Sequence, residues 1–221
     1  MKKIMISLLM MAAAINSFAV SYTAKATMTL TSQSGYTSNI TIAESNDLNV
    51  GTNAGYCSII NMEGRPVAMY AIFNGANYQT FGTKELGTMP FGIKTNADTN
   101  YKLTFTNVSG TKTLQMVDLV AKKIVSITTD GEYAFTAPAN TEISDRFRLY
   151  VPGTYEICFR YGKLQITENP SAADIVIKDA TGATAMTVPA EPIYQEIDLS
   201  GLAAGHYTVE ANGQTLTISV Q

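Results

Sequence analysis

Apolar side chains alternate with hydroxylated or charged ones along most of the chain, a pattern typical of strands that bury one face. In residues 101–106, for example, three large apolar side chains alternate with one lysine and two threonines. The same rule predicts strands around residues 133–135, 147–151 and 155–161, and the denser apolar run 67–73 predicts a strand buried on both faces. Because no sustained helical periodicity follows the first 20 residues, the sequence predicts an all-β protein.

Beyond residue 161 the predicted strands become shorter and more evenly spaced. They cover residues 163–168, 174–178, 185–188, 195–199, 206–211 and 215–220, and Asn, Gly and Pro residues separate them. This spacing favours antiparallel pairing between strands that are neighbours in sequence. We therefore predict two tandem antiparallel β-sandwich modules, a jelly-roll-like one over residues 20–161 and a small immunoglobulin-like one over residues 162–221.

Residues 1–19 have the pattern of a secretory signal peptide. Lys2 and Lys3 precede an apolar run over residues 4–15, and Ser17 and Ala19 place small residues before a cleavage point. The run is shorter than the roughly 20 residues that a membrane-spanning helix needs. We expect cleavage after Ala19, with Ala24-Lys25-Ala26 as a second acceptable signature. We also expect export through the periplasm to the cell surface or medium, and no transmembrane segment in the processed chain.

Composition and charge exclude one class of partner. The chain is 46% hydrophobic and only 15% charged, with 15 basic residues against 18 acidic ones and a net charge of −3. A weakly acidic chain offers no basic surface for a phosphate backbone, so we expect no nucleic-acid partner.

Cys57 and Cys158 are the only cysteines, which leaves two interpretations open. An exported chain with an even number of cysteines can pair them in a disulfide. Alternatively, each thiol is buried separately as a small apolar side chain. The wide spacing of the two excludes the CxxC patterns of zinc and redox sites.

Residues 197–209, Ile-Asp-Leu-Ser-Gly-Leu-Ala-Ala-Gly-His-Tyr-Thr-Val, resemble the late motif of C-terminal sorting domains recognised by the type IX secretion system of some diderm bacteria. Residues 169–171 resemble the Asn-Pro turn of that family, and residues 175–182 resemble its strand and glycine turn. The matching positions are Asn169, Pro170, Gly182, Asp198, Leu199, Gly201, Leu202, Gly205 and Tyr207. Residues 89–105 and 146–147 resemble a β-domain that often precedes such sorting domains.

The resemblance implies a secreted or cell-surface protein whose partners include secretion machinery of the outer membrane and an unknown protein or glycan at the cell surface. It brings no catalytic residues and no cofactor with it. Physically, Ile197 and Leu199 are expected to point inward, Gly205 to permit a tight turn, and Tyr207 to re-enter the core on the next strand.

Two loops carry candidate ligand contacts. Tyr78 and Asn77 follow an Asn-Gly turn, where an exposed tyrosine can stack on a sugar or enter an interface. Asn96, Asp98 and Asn100 place oxygen atoms at every second position, as calcium sites do, although Asn and Asp also favour such turns by bonding to the local backbone.

The sequence shows no motif of an enzyme. His206 is the only histidine and has no nucleophile motif near it, and the acids Glu142, Asp145 and Glu156 have no spacing that defines a glycosidic pair. We therefore expect a non-catalytic adhesion or scaffolding protein. A glycan-binding or calcium-assisted module and a surface glycoside hydrolase or its accessory remain as alternatives.

Overall fold

In a computed structural model of the protein, the described residues are 21–48, 57–152, 157–160, 163–167, 173–191, 194–211 and 213–221. Within these ranges the secondary structure is entirely β, as the alternation predicts, and no helix able to span a membrane occurs. The predicted signal peptide lies outside the described residues. The strands are β1 (Ala24–Ser32), β2 (Thr37–Glu44), β3 (Cys57–Ile59), β4 (Ala68–Phe73), β5 (Ala76–Thr83), β6 (Thr88–Lys94), β7 (Asn100–Gly110), β8 (Leu114–Asp118), β9 (Lys123–Ile127), β10 (Glu132–Thr136), β11 (Glu142–Tyr150), β12 (Ile157–Arg160), β13 (Lys163–Ile166), β14 (Ile175–Asp179), β15 (Thr184–Val188), β16 (Gln195–Asp198), β17 (Gly205–Ala211) and β18 (Gln214–Val220).

The first eleven strands form one large sheet that is rolled around a single core. Its order is β10-β7-β1-β2-β5-β4-β6-β11-β8-β9, with β3 paired to β5. Strand β1 contacts β4 and β8, neither of which pairs with it, so the two halves of the sheet face each other as the layers of a sandwich do. Alternate side chains of β1, including Met28 and Leu30, are fully buried in this core.

Strand β5 joins the two halves in a way that sequence spacing does not predict. It pairs in parallel with β2 and antiparallel with β3 and β4. Because Tyr78 pairs with both Ala71 and Ile59, β3 and β4 lie on opposite edges of β5. Strand β3 is thus an outer strand, and Ile59 is 73% exposed.

The C-terminal strands form a smaller two-sheet module. One sheet has the order β12-β13-β16 and the other β15-β14-β17-β18, and the two enclose a core that includes Leu164, Ile177 and Val209. The expected pairing of strands that are neighbours in sequence is found in three hairpins, β12–β13, β14–β15 and β17–β18. The pairs β13–β16 and β14–β17 join strands that are further apart in sequence.

The boundary between the modules falls earlier than residue 162. Strand β12 pairs with β13 in the smaller module, so the expected division at residue 161 would separate two strands of one sheet. Alternation cannot detect this, because the residues on either side of the division have the same two-residue rhythm.

The predicted double burial of residues 67–73 is correct for Val67 through Ala71, while Ile72 and Phe73 are only half-buried. Strand β6 and the second half of β11 are also buried on both faces. One face of these strands contacts the main core. The other face is covered locally by a cluster around Tyr70 and, toward β11, by Tyr194 of the smaller module.

Candidate functional site

The sorting-like motif forms a compact turn between β16 and β17. Asp198 Oδ1 accepts a hydrogen bond from the backbone N–H of Ser200 (2.9 Å), and the N–H of Leu202 donates to the carbonyl oxygen of Leu199 (2.9 Å). Leu199 and Tyr207 are buried, as expected, and the Tyr207 hydroxyl donates to the carbonyl oxygen of Ala203 (2.8 Å). The turn is therefore held by its own residues, with its tip exposed at residues 203–206.

The glycines of the motif fall into two groups. Gly182 has a φ of +86°, a backbone conformation that favours glycine. Asp179 stabilises the same turn by accepting hydrogen bonds from the backbone N–H groups of Thr181 and Ala183. Gly201 and Gly205 have no such positive φ. A Cβ would meet nothing within 4 Å at Gly201 and only the Tyr207 ring, at 3.7 Å, at Gly205.

Gly205 is expected to permit a tight turn, and it lies where the turn enters β17, but the backbone at this position also accepts an L side chain. Asn169 and Pro170, which also belong to the resemblance, lie outside the described residues.

Tyr78 and Asn77 lie in strand β5 rather than at the tip of the turn. Asn74 (φ +48°) and Gly75 (φ +74°) form the turn, as predicted. The Tyr78 ring packs edge-on against Phe81 at 5.6 Å, and the backbone carbonyl of Asn77 accepts a bond from the N–H of Ile60. Both residues are half-buried, so neither is an exposed platform for a sugar.

Asn96, Asp98 and Asn100 tie two loops together. Asp98 accepts bonds from the hydroxyl of Ser34 (2.6 Å) and its N–H (2.8 Å), while Asn100 donates to Gln33 (3.0 Å). Hydrogen bonds from Ser34 hold the pKa of Asp98 well below its usual range. The oxygens thus serve as acceptors for protein N–H and O–H groups, and no cluster of metal-ligating side chains is found in the described parts of the chain.

The two cysteines are separate thiols. Cys57 is half-buried on β3 and donates to the carbonyl oxygen of Gly82 (3.7 Å), whereas Cys158 is buried on β12 and donates to Gln165 (3.4 Å). The structure places the two thiols in different sheets, each with its own acceptor, and holds no disulfide between them.

The residues considered for catalysis do not converge. His206 and Ser219 are directly opposite on β17 and β18, and the His206 Nδ1 and Ser219 Oγ atoms lie 2.9 Å apart. Both are exposed, and His206 has no carboxylate within ion-pairing distance among the described residues. Glu142 and Asp145 lie on the same strand, and Glu156 lies outside the described residues.

A buried ion pair closes the rolled sheet where β8, β10 and β11 meet. Arg146 donates from Nε and Nη2 to the two oxygens of Asp118 (2.9 and 2.6 Å), and from Nη1 to the carbonyl oxygen of Thr136 (2.5 Å). The Tyr133 hydroxyl and the N–H groups of Val120 and Ala121 also donate to Asp118. The carboxylate therefore has five donors.

These donors determine the titration of the cluster. Burial alone would raise the pKa of Asp118, but the bonds from Arg146, the backbone and Tyr133 outweigh burial, and the pKa is lowered. Burial and the bond to Asp118 together raise the pKa of Tyr133 to about 12. At neutral pH the carboxylate is therefore ionised and the phenol protonated.

A second buried ion pair joins the two modules. Arg148 on β11 donates to both oxygens of Glu196 on β16 (2.5 and 2.8 Å), and the two side chains are 8% and 12% exposed. Tyr194 donates to the same carboxylate (2.7 Å) and packs against Tyr150 with ring centroids 6.0 Å apart. Burial and the neighbouring Glu196 raise the pKa of Tyr194.

Neither ion pair is predicted above, although the sequence carries a signal for both. Asp118 follows the buried run 114–117, and Arg146 and Arg148 flank Phe147 in a strand whose apolar positions are predicted to face the core. Charges inside apolar runs indicate buried, paired groups. Their partners lie 28 and 48 residues away, and sequence spacing does not identify them.

The fold and these contacts define an all-β protein whose buried charges connect structural elements. No family model and no curated protein matches the chain. One solved structure, a tetra-tandem repeat from the extending region of a large adhesion protein, aligns at 17% identity with a TM-score of 0.16, covering 91% of this chain and 66% of that one. A TM-score of 0.16 does not show a shared fold.

Proposed function

We propose that the protein is a non-catalytic, secreted or cell-surface component that acts through its surface in adhesion or scaffolding, and that its C-terminal module is a sorting signal. The secretion machinery of the outer membrane is the partner of that module.

The observation that carries the non-catalytic role is that donors of the protein itself hydrogen-bond to the buried carboxylates. Asp118 and Glu196 each accept several hydrogen bonds, and Glu44 accepts bonds from Lys112 (2.6 Å), Thr23 and the backbone of Leu86. A general base or nucleophile needs a lone pair directed at a substrate, whereas these oxygens are directed at structural donors. These carboxylates therefore hold strands and modules together.

The two unconstrained glycines support the sorting role. The fold requires no glycine at Gly201 or Gly205, and Gly201 and the tip of the turn are exposed. A glycine that folding does not require leaves a stretch of backbone that another protein can approach closely. Recognition by a partner therefore explains these residues better than the fold does.

The experiment is a Gly201→Ala/Gly205→Ala double variant expressed in a diderm bacterium with a type IX system. We expect native thermal stability, because both sites accept a Cβ, together with loss of the protein from the medium and cell surface and its accumulation in the periplasm. Fractionation and immunoblotting measure the distribution.

Gly213→Ala is the matched control. Gly213 lies in the same module at a φ of +72°, so the substitution strains the backbone and lowers stability by about 1 kcal/mol while leaving the motif intact. This variant should be exported. Normal export of the double variant would contradict the sorting role, and export failure of both would assign the effect to stability.

A further inference from the structure

An open depression on the larger module is lined by two cationic side chains that form no ion pair with any described residue. Its volume is about 510 Å³, and its lining includes Arg65, Lys94, Asn140 and Glu142. Neither Arg65 nor Lys94 has a carboxylate within 4 Å in the described parts of the chain, whereas Lys102, Lys112, Lys122, Arg146, Arg148, Lys163 and Lys178 each do.

Hydrogen bonds to the backbone fix both cations. The loop that carries Arg65 is ordered by Asn61, whose side chain accepts a bond from the N–H of Glu63 (2.9 Å) and whose carbonyl accepts one from Arg65 Nε (2.7 Å). Lys94 Nζ donates to the carbonyl oxygen of Met62 (3.3 Å) in the same loop. Among the described residues nothing accepts a bond from the terminal nitrogens of Arg65 or from the other protons of Lys94 Nζ, so these donors can face a ligand.

Glu142 is held apart from the lysine that lies directly opposite it. Lys94 and Glu142 are paired residues of β6 and β11, an arrangement in which opposite charges normally meet. Here Glu142 instead accepts a bond from the buried Tyr70 hydroxyl (2.6 Å) through Oε1. The second oxygen of Glu142 and the side-chain amide of exposed Asn140 have no hydrogen-bond partner in the described residues, whereas the backbone N–H of Asn140 donates to the carbonyl oxygen of Asn96 (2.7 Å).

The depression therefore offers two fixed cations beside one acceptor and one amide. The cations match a single carboxylate, which the fork of an arginine binds well. The Glu142 oxygen and the Asn140 amide match hydroxyl groups, which both donate and accept. Two cations and the Glu142 carboxylate leave one net positive charge, which disfavours a phosphate or another group with two negative charges. No aromatic residue is among the described residues that line the depression, so a sugar there binds through charge and hydrogen bonds.

We propose that this depression is a binding site for a carboxylate-bearing saccharide, such as a uronic acid unit of a surface polysaccharide. The carboxylate lies between Arg65 and Lys94, and the adjacent hydroxyls bond to Glu142 and Asn140. The site deepens the proposed adhesion role by naming the surface bound. It does not involve the sorting-like turn, so the export experiment and the binding experiment can fail independently.

The test is calorimetric titration of the full chain with a short alginate oligomer, with maltohexaose as the neutral saccharide. We expect alginate to bind, with affinity that falls as salt rises, and maltohexaose not to bind. Arg65→Gln and Lys94→Gln should each weaken alginate binding about tenfold, the loss expected for one charge-assisted hydrogen bond.

Lys84→Gln is the matched control. The substitution removes the same charge, and Lys84 is exposed and lies outside the depression. It should leave binding unchanged, and thermal melts should show all three variants folded. The proposal is overturned if alginate does not bind, if Lys84→Gln weakens binding as much as Arg65→Gln does, or if a short poly-glutamate peptide binds as tightly as alginate with the same dependence on Arg65.

Discussion

Asp118 illustrates how a single side chain can close a sheet. Its fully buried carboxylate takes donors from β10, β11 and the backbone that follows β8. The guanidinium of Arg146 also lies 4.9 Å from the ring centroids of both Phe135 and Phe147. Removing one partner of such a pair leaves the other buried and uncompensated, which costs more than the pair itself contributes.

Asp118→Asn should therefore lower the free energy of unfolding by about 3 kcal/mol, because Arg146 loses its buried counter-ion. Denaturant titration at pH 7 measures the change. Asp145→Asn, on an exposed residue of β11, is the control and should change stability by less than about 0.5 kcal/mol. Equal effects of the two substitutions would contradict the structural role of Asp118.

The same substitution has a defined pH dependence. The pKa of Asp118 is lowered by folding, so its contribution is fully present above the unfolded value, near pH 4, and is lost as the pH falls through the lowered value. Stability of the native chain should decline on acidification below about pH 4, and the Asn variant should decline less steeply. Thermal melts between pH 7 and pH 3 measure both slopes.

At the residue scale, the sequence predicts which residues are buried or lie in turns better than it predicts which residues they contact. The buried Leu199 and Tyr207 and the turn at Asn74 and Gly75 follow from alternation and from glycine geometry, which are local properties. The meeting of Lys94, Glu142 and Tyr70 depends on three strands far apart in sequence. No local pattern encodes such a contact.

At the scale of elements, β4 and β6 show how two strands approach each other through a glycine. Tyr70 and Gly92 are paired residues, and the buried tyrosine ring lies over the glycine backbone. A Cβ at Gly92 would lie 2.4 Å from the ring. The absence of a side chain at Gly92 therefore sets the position of Tyr70, and through it the position of Glu142.

Gly92→Ala should destabilise the protein by about 1–3 kcal/mol, because the new methyl group overlaps the Tyr70 ring. Chemical denaturation measures the loss, and Gly201→Ala, where a Cβ meets nothing, is the matched control with little change. Combining Gly92→Ala with Tyr70→Leu should cost less than the sum of the single substitutions, since the smaller side chain relieves the overlap. Strict additivity would show that the contact is not the cause.

The positions of β14, β17 and β18 could be predicted from the sequence to within a few residues, because the buried residues of these strands follow the two-residue period. The sheet to which each strand belongs could not be predicted in this way. The parallel pair β2–β5 and the assignment of β12 to the smaller module depend on which surfaces are complementary after folding. The period of a strand carries no information about its neighbour.

At the scale of the whole molecule, the two modules meet through a joint that is both apolar and charged. Val117, Tyr150 and Tyr194 form its apolar part, and Arg148 with Glu196 forms its charged part. A second ion pair, Lys122 with Glu191, lies at the rim and is largely exposed. Removing one partner of the buried pair should therefore destabilise the joint far more than removing one partner of the exposed pair.

Glu196→Gln should lower the free energy of unfolding by about 3 kcal/mol, because Arg148 stays buried without its counter-ion. It should also uncouple the modules, so that calorimetry resolves two transitions where the native chain shows one. Lys122→Gln breaks only the exposed pair and should change stability by less than about 0.5 kcal/mol. Similar small effects of both variants would show that the charged contact does not couple the modules.

The two arginines of β11 have a mechanical consequence. Arg146 fastens the strand to the closure of the rolled sheet, and Arg148, two positions further on, fastens it to the smaller module. Strand β11 is itself paired on both sides, by β6 and β8. Tension that enters through the smaller module is therefore delivered to an interior strand, which β6 and β8 hold on both sides, and not to an edge strand that could be peeled away alone.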